Sequence, residues 1–231
     1  MASSQSRFYG FLALILVAGA ALIGYVVISN RSGADAGEVG AVPLATVVDG
    51  GSAEQLGVVR GAADAPVTIE EFADYQCTYC AMVATLSVPQ VLRNYVDTGK
   101  ARYVFYDYVL YPGSPAETAA QAARCAGDQD AFWAMQKVLM GRQYEWSTAR
   151  NPLRMIREYA AGLGLDGEAL EACVENGKYR DVVMASTQHA HELGLNSTPV
   201  FFFNGRRFEG AMGYDQIAQI IDQELARAQD Q

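Results

Sequence analysis

Residues 67–80 read VTIEEFADYQCTYC. The first six, Val67-Thr68-Ile69-Glu70-Glu71-Phe72, are β-branched or aromatic at most positions and predict a buried strand. Asp74-Tyr75-Gln76 breaks that pattern and leads into Cys77-Thr78-Tyr79-Cys80. Beyond it, Met82, Val83, Leu86, Leu92, Tyr95 and Val96 recur near the i, i+3, i+4 spacing of a helix. Pro89 falls inside that run and is expected to kink it, because it has no N–H and crowds the preceding turn. Cys77 therefore sits where a strand hands over to a helix.

A C-x-x-C pair has two common uses, as half of a zinc site or as a redox dithiol. Zinc normally takes four ligands. The remaining cysteines, Cys125 and Cys173, are single and far apart, and His189 and His191 lie i, i+2 on a predicted helix, so they do not share a face. The redox reading has positive support. The first helical N–H groups and the positive end of the helix dipole stabilise a thiolate at Cys77. Cys77 is thus the expected attacking sulfur, and Cys80, one turn in, the sulfur that resolves a mixed disulfide. An inert buried disulfide is disfavoured, because a short loop at a helix tip is accessible.

Outward from this stretch, Thr98-Gly99-Lys100 ends the helix and Arg102 to Tyr108 (RYVFYDY) predicts a second strand. Ser114-Pro115-Ala116-Glu117 reads as a capping box with proline at the first helical position. Asn151-Pro152 and Asp166 are further start signals, and Gly127, Gly141, Gly162, Gly164 and Gly177 are stops. Ala116 to Leu193 is expected to form four or five short helices. Val200 to Phe203 predicts a strand, Asn204-Gly205 a two-residue hairpin turn, and Arg206 to Glu209 its return. A last helix runs from Tyr214 to Ala228 on Ile217, Ile220, Ile221 and Leu225. Strand-helix-strand implies a parallel pair with a right-handed crossover, and the hairpin adds antiparallel strands. The expected class is α/β with a mixed sheet flanked by helices.

The N-terminus differs in kind. Phe8 to Ile28 is 21 apolar or uncharged residues, preceded by Arg7 alone. As a helix it would span about 30 Å, the thickness of a bilayer core. We expect a short cytoplasmic tail (1–7), a transmembrane anchor (8–29), a Gly/Ala-rich tether (30–60) and a folded domain (61–231) facing outward. Cleavage after Ala34-Asp35-Ala36 is the alternative, disfavoured because the apolar run exceeds a signal-peptide core. Short strands within Val42–Val48 or Leu56–Val59 stay open. Either way the folded part lies where cysteine pairs persist as disulfides.

Composition excludes several classes. Hydrophobic residues make up 51% and charged residues 19%, which supplies a core and rules out disorder throughout. The net charge of −9 repels phosphate backbones and argues against nucleic acid as a partner. No Gly-rich phosphate loop or serine-nucleophile motif occurs.

The stretch from Asp64-Ala65-Pro66 through EEFADYQCTYC resembles the active-site region of the DsbA-like thiol:disulfide oxidoreductases of the thioredoxin superfamily. Residues 196–210, NSTPVFFFNGRRFEG, resemble that family's second signature. The resemblance covers about residues 60–228 and implies a thioredoxin fold with an all-helical insertion over about 114–193. It implies Cys77 as nucleophile and Cys80 as resolving cysteine. Pro199 matches the family's cis-proline, and the backbone of Thr198 would pair with an extended client segment. Glu71 matches a buried acid that exchanges a proton with Cys80; an ordinary solvent-facing strand residue is its other reading, since Glu70 leaves the register open. Many members carry proline after the nucleophile, and strong oxidants often have histidine before the second cysteine. Thr78 and Tyr79 stand there instead and tune thiolate stability, where about 30 mV corresponds to roughly 1.4 kcal/mol. For Cys125 and Cys173 a structural disulfide, which the resemblance supports, stands beside a redox relay to Cys77–Cys80.

The expected function is extracytoplasmic introduction of disulfides into exported proteins, with no metal and no cofactor beyond the Cys77–Cys80 disulfide. Reoxidation by a quinone-linked membrane oxidase is implied by the family. The rivals are the same chemistry run as a reductase or isomerase, and a non-catalytic copper- or zinc-binding dithiol protein held at the membrane.

Overall fold

The computed structural model describes residues 55–229. The expected tail, anchor, alternative cleavage site and most of the tether lie outside them. Among the described residues, no helix is long and apolar enough to cross a membrane.

The elements are β1 (Val58–Arg60), β2 (Val67–Ala73), α1 (Thr78–Leu86), α2 (Val88–Val91), β3 (Ala101–Asp107), α3 (Pro115–Gly127), α4 (Phe132–Gly141), α5 (Gln143–Ser147), α6 (Pro152–Gly162), α7 (Gly167–Glu175), α8 (Arg180–Glu192), β4 (Val200–Phe203), β5 (Arg206–Glu209) and α9 (Tyr214–Gln229). The sheet order is β1-β3-β2-β4-β5. β2 and β3 pair in parallel, and every other pair is antiparallel. This is the mixed sheet with a helical insertion expected from the sequence.

Differences have local causes. The tether expected over 30–60 gives its last three residues to the sheet as β1, paired with β3. Gly57 permits that approach, since a Cβ there would collide with Val104 and Tyr106. The helix after Cys80 breaks at Ser87, whose hydroxyl donates to the Met212 carbonyl at 3.0 Å, so Pro89 opens α2 rather than bending one long helix. A π-turn over Leu92–Val96 follows, and the Asp97 N–H reaches Leu92 O at 2.8 Å. The insertion holds six helices, one of them the five-residue α5. The capping box at Ser114 is incomplete. The Ser114 side chain makes no cap bond, while Glu117 accepts from the Gly113 N–H at 2.8 Å.

Strand alternation gives the sheet two apolar faces. Phe72, Val104, Tyr106, Val200 and Phe202 form one, closed by Ala190 and Leu195. Tyr103 and Phe105 lie on the other, against Trp133 and Phe132 of α4. Each such side chain contributes about 1.5–3 kcal/mol by leaving water. At the hairpin both Asn204 (φ 48) and Gly205 (φ 81) take the left-handed conformation that a tight two-residue turn demands.

Cys125 of α3 and Cys173 of α7 are joined by a disulfide that closes a 48-residue separation. Loop-closure entropy assigns such a link about 4 kcal/mol. Replacing both cysteines with alanine is expected to lower unfolding free energy by roughly 2–4 kcal/mol. Urea denaturation with the Cys77–Cys80 state held constant checks this; an unchanged midpoint would show the insertion to be held by packing alone.

Candidate active site

The turn that carries Cys77 is built by Asp74, which is buried. Its Oδ1 accepts from the Gln76 N–H at 2.6 Å and its Oδ2 from the Leu110 N–H at 2.8 Å. The Cys77 N–H donates to Asp74 O at 3.1 Å, which closes the turn. The insertion holds this turn from outside. Gln143 Nε2 donates to Tyr75 O at 2.7 Å and to Cys77 O at 3.0 Å, and Gln76 Oε1 accepts from the Ala116 N–H at 3.0 Å. Asp74 followed by a turn was a visible sequence signal; Gln143, 66 residues from Cys77, was not.

Cys77 is the N-cap of α1, half-buried, and its sulfur accepts from the Cys80 N–H at 3.3 Å. Cys80 is fully buried behind it, and both are free thiols. Their acidities are driven apart. The Cys80 thiol, followed by the Thr198 side chain and the backbone N–H groups of Cys80 and Tyr79, stabilises the Cys77 thiolate against the cost of its burial and lowers it from 9.0 to about 6. Burial first, and then its thiol's bond to Cys77, push Cys80 far upward. Thr78 and Tyr79 are exposed, and Tyr79 is 64% accessible. Met82 and Leu86 continue an exposed apolar line along α1.

The Thr198–Pro199 bond is cis and brings the Thr198 carbonyl to 3.4 Å from Cys77 Sγ. The buried Thr198 hydroxyl makes no hydrogen bond of normal length, yet it favours the charged form of both sulfurs.

Glu71 lies on the sheet face below the cysteines, entirely buried. The solvent-facing alternative is thereby excluded, and the neighbouring Glu70 turns to the other face, where Tyr106 Oη donates to it at 3.4 Å. Tyr103 Oη donates to Glu71 Oε2 at 2.5 Å. Burial outweighs that bond and pushes the carboxyl from 4.5 up to about 7, with the Cys77 charge adding to the rise. The sequence reading missed Tyr103, because only strand pairing brings it to Glu71.

The arrangement joins a stabilised thiolate, a buried second thiol and an acid that titrates near neutrality. That set can exchange disulfides and supply or take the proton that Cys80 needs. The described residues contain no group of three or more His, Cys, Asp or Glu side chains able to hold a metal.

The family model described as thioredoxin matches residues 54–223. The chain belongs to the thioredoxin family. The alpha-DsbA1 structure from Wolbachia pipientis superposes with a TM-score of 0.68 at 23% identity, over 74% of this chain and 92% of that one. Its likeness shows that this sheet with its helical insertion is the DsbA-like fold. The chain is 25% identical to disulfide bond formation protein D of Bacillus subtilis, over 72% of this chain and 76% of that protein. It is also 32% identical to a protein named Na(+)/H(+) antiporter NhaA 3 from Salinispora tropica, over 74% of this chain but 25% of that one. The chain thus spans about a quarter of the length of that relative. The DsbA-like oxidoreductase resemblance read from the two signatures stands.

Proposed function

We propose that this chain is an extracytoplasmic, membrane-anchored thiol:disulfide oxidoreductase that introduces disulfides into exported proteins. The observation that carries the reading is the inequality of the two thiols. Cys77 is half-buried, accessible and lowered to about 6, and Cys80 is buried and raised. A thiolate stabilised in the reduced form makes the disulfide a better oxidant.

In the oxidised protein a client thiolate attacks Cys77 Sγ, the bond to Cys80 breaks, and Cys80 leaves with the electron pair. Glu71, whose raised acidity leaves it partly protonated near neutrality, supplies the proton that Cys80 retains. A second client thiolate then attacks the client sulfur of the mixed disulfide and expels Cys77 as its stabilised thiolate. The client loses two electrons, and the protein gains them as a dithiol. The cis Thr198–Pro199 edge is where the client backbone pairs, beside Cys77. Recycling falls to a quinone-linked oxidase in the membrane, reached through the N-terminal anchor.

Cys80→Ala, expressed in the native host as the full chain, tests the scheme. Without the resolving thiol, mixed disulfides at Cys77 are expected to accumulate as covalent adducts of exported proteins that reductant removes. Absence of adducts, with Cys77 present and reactive toward a small disulfide, rejects the client chemistry. A reduction potential near that of thioredoxin would reverse the direction of flow.

A further inference from the structure

Glu71 is held in an unusual electrostatic setting for a buried acid. Its strand neighbours in register are Phe105 on β3 and Phe201 on β4. The groups that act on its charge are burial, the Tyr103 hydroxyl and the Cys77 sulfur. From the remaining elements Cys80 on α1 and the Tyr75 phenol also interact electrostatically with Glu71. The Asp107–Arg124 pair acts on Tyr75. Burial raises the phenols of Tyr75 and Tyr103 well above their ordinary range, so near neutral pH neither is charged. The acid is therefore held by one neutral phenol. Trp133 of α4 fixes the Tyr103 ring in turn, edge to face at 6.0 Å. Glu71 Oε2 takes the Tyr103 bond, while Oε1 is buried with no hydrogen-bond partner among the described residues.

We propose that Tyr103 is a positioning residue for the thiol exchange: its hydroxyl occupies Oε2 of Glu71, which leaves Oε1 as the oxygen that passes the proton to and from Cys80. This rests on the proton role proposed for Glu71. A hydrogen bond donated to a carboxylate favours the ionised form. Tyr103 thus keeps Glu71 able to take a proton from Cys80 at neutral pH, against a burial that alone would hold the acid protonated to higher pH.

The test runs the reaction toward oxidation with an aromatic disulfide whose released thiolate absorbs light. Cys77 attacks one sulfur and expels the first aromatic thiolate. Cys80 then gives its proton to Glu71, attacks Cys77 Sγ, and the second aromatic thiolate leaves. Two electrons pass from the dithiol to the probe. In the wild type the second release is expected to rise with pH through a midpoint near neutrality, set by Glu71. Tyr103→Phe removes one oxygen and keeps the ring. It should move that midpoint up by about one unit and slow the second release at pH 7 roughly fivefold. The first release should be unchanged. Glu71→Gln should abolish the midpoint, and adding Tyr103→Phe to it should change nothing further. A general packing defect would slow the double variant as well and would overturn the assignment. An unmoved midpoint in Tyr103→Phe, with Glu71→Gln effective, rejects the role of Tyr103 alone. An unaltered profile in Glu71→Gln rejects the proton role beneath it. The side-chain carboxyl 13C resonance of Glu71, titrated in the oxidised protein, reads the same upward shift without turnover.

Discussion

Arg124→Ala is expected to cost about 3–5 kcal/mol of stability at neutral pH, because it strips a buried carboxylate of its counter-ion. Arg124 Nε donates to Asp107 Oδ2 at 2.5 Å, with side-chain exposures of 6% and 0%. Its Nη2 donates to the Leu56 carbonyl at 2.5 Å, at the entrance to β1. Asp107 Oδ1 has no hydrogen-bond partner among the described residues, and after the guanidinium the charge is supported by the residue's own backbone N–H. Burial raises the Asp107 acid even with the guanidinium in place. Without it the carboxyl rises further, and the cost should shrink in acid as Asp107 takes up a proton. Urea denaturation of Arg124→Ala across pH 4–8 measures this. Asp107→Leu combined with Arg124→Met removes both charges and should recover most of the loss. A double variant no more stable than the single would show the guanidinium to matter for packing and the Leu56 contact, with the ion pair incidental.

Glu71→Gln should act in the opposite direction. Burial raises the acid from 4.5 to about 7 in the folded protein, so between those values the native state binds the proton more tightly than the unfolded chain does. Stability therefore falls as pH rises through that window, by about 3 kcal/mol in all, and the loss is complete above pH 7. Glutamine cannot ionise and keeps an oxygen for the Tyr103 hydroxyl. Its amide hydrogens lack an acceptor, which trims the gain to roughly 1–3 kcal/mol at pH 8. The measurement is chemical denaturation of the oxidised protein across pH 4–8; Cys77 carries no charge there, so the upper edge of the window lies below that of the dithiol form and the total loss is somewhat under about 3 kcal/mol. The wild type should lose more stability toward alkaline pH than the variant, whose remaining slope comes from the raised acids Asp74 and Asp107. Equal slopes would place the Glu71 charge outside the low-dielectric interior. The acid is thus a stability cost, offset in the scheme proposed above by the proton it exchanges with Cys80.

Local sequence was sufficient wherever neighbours along the chain set the outcome. The strand at Val67, the helix opening at Thr78, the Asn204-Gly205 turn and the Asn151 and Asp166 caps all rest on propensity, periodicity or a side chain bonding two or three residues away. Periodicity could not locate the break at Ser87, which depends on Met212, or recognise β1, which exists only by pairing with β3.

At the candidate site, the C-x-x-C spacing and its place after a strand were enough to put Cys77 at a helix start with Cys80 one turn in. A cap position and a dipole are properties of the local chain. Which glutamate faces the sulfurs, which phenol holds it, and which distant glutamine clamps the turn were decided by the tertiary structure. Each depends on strand register or on helices of the insertion brought back from tens of residues away. Burial sets the acidity of Glu71 and Cys80, and burial is a property of the assembled molecule: no residue carries a low dielectric with it before the chain has folded around it.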